Sequence, residues 1–281
     1  MRSATPGTRH DRAGSRRATT DGPGHVAAPA ELASTPVSVV LATVGLTVLL
    51  ALSVATGPVQ AAVALGFAGA VLAWGWPVLL DSPNPRVTSG IIGAAAVLIA
   101  AATGLTDSEP YLRWVPVALA GGLMAAFFHQ LFRRDGRERL TYGMAVTVSG
   151  LALASAGAPL AVLPYYPRGA QYAGVAGAVV VVAALVELLG RWAAWRRWML
   201  AVVLAAGAAT GAAAAALVTG IPLLVAAFLG VLVAAVSHAL RRVLGALPSA
   251  DALQARMSSG AASVLVVGVV VYLLARVFAG R

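Results

Sequence analysis

Phe127-Phe128-His129-Gln130-Leu131-Phe132-Arg133-Arg134-Asp135-Gly136-Arg137-Glu138-Arg139-Leu140 lies near the middle of the chain and carries four arginines in seven residues between two long apolar runs. An arginine at a bilayer centre costs about 2.5–3.5 kcal/mol on insertion scales. A turn holding four of them does not cross, so it marks the side of a membrane on which the chain stays.

The composition agrees with that reading. The 281 residues are 59% hydrophobic and 11% charged, where a soluble domain carries about 25% charged residues. All twenty basic residues are arginine. With the Ala, Val and Gly load, this points to a high-GC bacterial genome and so to a bacterial plasma membrane. The formal charge of +10 is not a nucleic-acid footprint. The arginines fall in short turns between apolar runs, where they act as topology signals and touch anionic lipid headgroups. The absence of cysteine excludes disulfides, thiolate metal sites and a lipoprotein anchor. The sequence has no phosphate-binding glycine loop, HExxH, GxSxG or paired aspartates of the magnesium-holding kind, so no cofactor or metal is expected.

About twenty apolar residues cross a hydrocarbon core of roughly 30 Å. Nine segments qualify: 37–56, 59–80, 87–105, 111–132, 140–163, 170–190, 197–218, 221–240 and 259–278. Each must be helical, because lipid offers no partner to a free N–H or C=O. The expected fold is all-α, a polytopic transmembrane bundle of about nine spans over 37–281. Residues 1–36 read as a disordered basic tail. With the amino terminus in the cytoplasm, only Arg113, Arg168, Arg276 and Arg281 lie outside, and the other sixteen arginines lie inside. That bias predicts a cytoplasmic amino terminus and an external carboxyl terminus. Trp74, Trp76 and Tyr142 fall toward the inner border, and Tyr111, Tyr165, Tyr166, Tyr172 and Tyr272 toward the outer one.

Two local expectations follow. In 241–258, Ser249 is placed to cap a short helix with Asp251 in its first turn and Ala250, Leu253 and Met257 on one face, lying along the inner surface. Gly207 and Gly211 form a small-xxx-small pattern that lets another span of the same chain approach closely. The alanines around them predict that the seventh span is buried.

An ionisable group within a span is a functional candidate. Three occur: His129, Glu187 and His238. Each lies about one turn from arginine, with Arg133, Arg191 and Arg242 at i+4, where side chains share a helix face. Together with Arg241 they predict a shallow polar pocket on the cytoplasmic side, where the inner ends of spans 4, 6 and 8 converge. The arginines would bind a phosphate or lipid headgroup, and a histidine or Glu187 would relay protons. The plainer alternative is that all three are border residues whose tips snorkel into the headgroups. Asp107, Glu109 and Arg113 read as a solvated turn.

The order of spans, with a basic tail, a basic hairpin at mid-chain and a polar-arginine helix end before a last span at 236–278, resembles the phosphatidate cytidylyltransferase (CDP-diacylglycerol synthase) membrane family. The resemblance is one of layout and implies a shared bundle. Where that family holds magnesium and nucleotide with acids and a lysine, this chain has Ser237-His238-Ala239-Leu240-Arg241-Arg242 and a loop with only Asp251. No catalytic residue carries over.

Three functions remain open at this stage. One is a non-enzymatic permease-like or lipid-handling protein. The second is a structural component of an envelope-assembly complex, with a membrane-protein partner or a second copy of itself. The third is a lipid-headgroup enzyme.

Overall fold

The computed structural model describes residues 36–132, 139–191, 197–217 and 220–278. The expected tail up to residue 35, Arg133 and its neighbours to 138, and Arg281 lie outside them. Among these residues ten α-helices follow in order: α1 (Val37–Thr56), α2 (Pro58–Leu79), α3 (Pro85–Gly104), α4 (Val115–Phe132), α5 (Leu140–Val162), α6 (Gly169–Glu187), α7 (Met199–Leu217), α8 (Leu223–Gly245), α9 (Leu253–Leu265) and α10 (Val267–Phe278). No strand occurs among the described residues. Among the described residues, nine segments are long and apolar enough to cross a bilayer: α1 to α8 individually, and α9 with α10 as one span interrupted at Val266. The chain is a multi-pass membrane protein.

The punctuation residues act as their chemistry requires. Pro58 and Pro85 stand in the first turn of α2 and α3, where a missing N–H costs nothing. Gly57 alone joins α1 to α2, with φ +148°, a backbone conformation that side chains oppose. Its N–H still donates to Ser53 O at 3.1 Å, closing the last turn of α1.

Contacts between turns sort the helix ends into two layers. Asp81, after α2, pairs with Arg139, before α5, at 3.3 Å. Gly75, late in α2, lies against the carbonyl of Gln254 at the start of α9. Arg86, Arg197, Arg242 and Arg256 belong to this layer by connectivity; it is called here the basic end. At the opposite end Tyr111 stacks on Tyr165 with ring centroids 4.2 Å apart, and the Tyr166 and Tyr272 hydroxyls lie 3.2 Å apart. This is the tyrosine end. Two of the rings read toward the borders are enclosed by the bundle: Trp76 is buried and donates from Nε1 to Val146 O at 3.0 Å, and Tyr172 is also buried.

Small residues set the packing, as expected where lipid removes the hydrophobic drive between helices and close contact must replace it. A Cβ on Gly75 would fall 1.9 Å from Gln254 O, and one on Gly69 2.5 Å from Ala96 Cβ. Helices α2 and α5 are the most enclosed, with 67% of their apolar windows buried.

Helix α7 departs from expectation. Its window is 22% buried, the lowest of the nine. It packs on α6 and α8 at the bundle edge. An alanine-rich helix reads the same whether its neighbour is lipid or protein, so composition did not locate it. The expected surface helix is also replaced. Residues 246–252 are turns, and α9 starts at Leu253 with Ala252 in the N-cap position and no side-chain cap. Ser249 therefore caps nothing, Leu253 and Met257 belong to the ninth span, and Asp251 pairs with Arg256 at 3.0 Å.

Candidate functional site

Glu187 is the last residue of α6, at the basic end. Its carboxylate turns into the bundle, where α8 presents Ser237, His238 and Arg241. Ser237 and Arg241 are one turn apart, so they share a face. Arg242, about 100° further around the helix, is exposed.

The side chains of Glu187, His238 and Arg241 are 2%, 5% and 0% exposed. They are not snorkelling; they form an interior network. Arg241 donates from Nη2 to Glu187 Oε1 at 2.7 Å and from Nε to Oε2 at 3.0 Å. His238 Nδ1 lies 2.8 Å from Glu187 Oε1. The remaining guanidinium nitrogen, Nη1, donates to Ser237 Oγ at 2.5 Å and to Ser263 Oγ of α9 at 3.3 Å. Ser263 Oγ in turn donates to Gly260 O at 2.8 Å and lies 3.4 Å from Thr43 Oγ1 of α1. Four helices thus meet through one guanidinium and its shell.

The chemistry of this arrangement follows from donor counting. A carboxylate can only accept, so the nitrogen that faces it, His238 Nδ1, carries a hydrogen and donates. Glu187 thereby fixes the imidazole tautomer. In the neutral ring, Nε2 is then a bare acceptor. Nε2 is buried, and no group of the described residues bonds to it. Arg241 has all three nitrogens engaged, so it is not a free anion-binding group. Glu187 and Arg241 neutralise one another, as a charged pair withdrawn from water requires.

Of the residues singled out in the sequence, Glu187, His238 and Arg241 come together. His129 stands half-buried on α4, which packs on α3 and α5, and its Nε2 is buried without a bond. It does not join the network, so the expected convergence of spans 4, 6 and 8 reduces to spans 6 and 8, with α9 added. Arg133 and the side chain of Arg191 lie outside the described residues. The i+4 pairing expected between His238 and Arg242 gives way to pairing across helices. Ser237, Ser263 and Thr43 were not anticipated as partners. The available signal was Ser237 one turn before Arg241, and the serines 258, 259 and 263 early in the last span.

Gly207 and Gly211 hold α8 in place. A Cβ on Gly207 would lie 2.6 Å from Gly230 O of α8, and one on Gly211 2.2 Å from Ala226 O. The partner is within the chain, as expected.

Beside the network, away from the basic end, an apolar crevice runs between α1, α6 and the α9–α10 junction. Thr47, Leu50, Gly177, Val180, Val264 and Val267 line it. Thr47 is one turn beyond Thr43, and its buried hydroxyl has no partner. Comparison of the chain with protein-family models, curated proteins and solved structures gives no match.

Proposed function

We propose that the chain is a permease-like carrier of a bacterial plasma membrane, with the basic end and amino terminus on the cytoplasmic side and the carboxyl terminus outside. Arginine placement supports the orientation. One observation carries the functional reading: a buried Glu187–His238–Arg241 network whose imidazole keeps an unused nitrogen. A bundle that only had to stand would do as well with apolar side chains of similar volume, because a buried ion pair rarely adds stability over them. Ionisable groups inside membrane spans mark substrate or ion pathways far more often than packing devices. The sequence has no phosphate-binding glycine loop, so the carrier reading takes secondary transport, or energy from a partner chain, as its drive.

Growth and uptake profiling tests this. A deletion strain is compared with one carrying Glu187→Gln across a panel of solutes and pH values. The variant should share the deletion's defects. If it matches the parent wherever the deletion does not, the network is not the working part of a carrier.

The crevice between α1 and α6 favours a second reading, lipid handling. It is apolar, lies within membrane-spanning segments, and adjoins the Thr43–Ser263–Arg241 chain of contacts. A missing or accumulated species in lipid profiles of the deletion strain would support this reading, and identical profiles would remove it.

A further inference from the structure

Within the carrier reading, on which this inference rests, the network points to the coupling ion. We propose that His238 Nε2 is a proton-binding site, which makes the proton the ion that drives the cycle.

Arg241 keeps its charge in any environment, and it is held by Glu187, Ser237 and Ser263. Glu187 receives N–H groups from both partners, an arrangement that selects the carboxylate. Two of the three charges are therefore fixed. His238 is the group left to change, and its Nδ1–H is already committed to Glu187. An incoming proton adds to the Nε2 lone pair, no bond is broken, and the summed charge of Glu187, His238 and Arg241 passes from zero to +1.

Among the described residues, nothing else around His238 absorbs that charge. Helix α6 has no carboxylate besides Glu187, and α7 has no ionisable side chain. On α8 itself Arg242 is exposed. On α9, Arg256 is engaged by Asp251. On α10, Arg276 is at the tyrosine end, bonded to Tyr272. Arg241 also occupies the place beside Glu187 that a sodium ion would require. A net charge inside a membrane bundle is costly. Proton uptake therefore favours an arrangement in which the ends of α6 and α8 part toward water, and release restores the closed one. That link between protonation and helix position is what coupling requires. His129 lacks it, because no carboxylate among the described residues bonds to its ring.

The test is nuclear magnetic resonance on the full chain in lipid nanodiscs with 15N-labelled histidine, scanned from about pH 5 to pH 8, the window in which imidazoles exchange charge. H238Q assigns the signal. If H238Q does not fold, the combination H10Q, H25Q and H129Q leaves His238 as the sole imidazole. At the alkaline end His238 should show a protonated Nδ1 and a bare Nε2, converting to imidazolium as pH falls. A His238 signal that keeps one form throughout the scan overturns the proposal. The readout involves no transport. A titrating His238 in a protein whose E187Q strain transports normally would therefore condemn the carrier reading and leave the proton site standing.

Discussion

His238 Nδ1 stands 2.8 Å from Glu187 Oε1, although 51 positions separate the two residues in the chain. The bond joins the basic ends of α6 and α8 and gives the imidazole a direction. Arg241, three residues after His238, holds the same oxygen at 2.7 Å. An apolar residue in place of Glu187 therefore strands two donors at once.

Glu187→Leu leaves Arg241 buried without its counter-charge, which costs about 3–5 kcal/mol. Arg241→Met strands the carboxylate by a similar amount. The double variant Glu187→Leu/Arg241→Met removes both charges and should be more stable than either single one. Thermal unfolding midpoints in detergent give the order. A double variant at least as unstable as the sum of the singles would mean that the pair is not coupled.

Gly211→Val drives a side chain into Ala226 O, which a Cβ alone would approach to 2.2 Å. Backbone cannot yield as a side-chain tip can, so overpacking of about 1–3 kcal/mol is expected. Gly45→Ala on α1 meets nothing within 4 Å and should change the midpoint little. Equal effects from the two substitutions would contradict the close α7–α8 contact.

Orientation is checked with reporters. A periplasm-active enzyme fused after Arg281 and a cytosol-active one inserted within residues 133–139 should both report. Silence from either reverses or breaks the threading inferred from arginine placement.

The Tyr166 phenol, between the fifth and sixth spans, is raised above the ordinary 10.0, first by burial and then by its bond to Tyr272. Its folded value exceeds its unfolded one, so its contribution is intact below pH 10.0 and is lost as pH rises beyond that. Thermal stability should decline with pH in that alkaline range, less steeply in Tyr166→Phe. Ultraviolet titration should show one fewer late-ionising tyrosine in the variant than in the parent.

The spans were legible because lipid imposes one requirement that sequence displays directly, a run of about twenty apolar residues. Helix ends were less so. Helix α8 continues through Arg241 and Arg242 to Gly245, since the backbone stays helical after the side chains cease to suit hydrocarbon. Glu187, His238 and Arg241 were legible as exceptions within apolar runs. Their partners were not, because spacing along one helix reveals i+4 neighbours while contacts such as Arg241 with Ser263 depend on which helices adjoin. The edge position of α7 was hidden for a related reason: alanine suits lipid and protein neighbours alike.

Gly57 is the whole connection between α1 and α2, and this constrains how the protein is made. With a single residue between Thr56 and Pro58, no loop is available to pass through a translocation channel ahead of the second helix. The first two spans must leave the insertion machinery as a folded pair, already back to back. An insertion at this point would do more than lengthen a turn, because it would let the first helix depart alone and leave the second to choose its own direction.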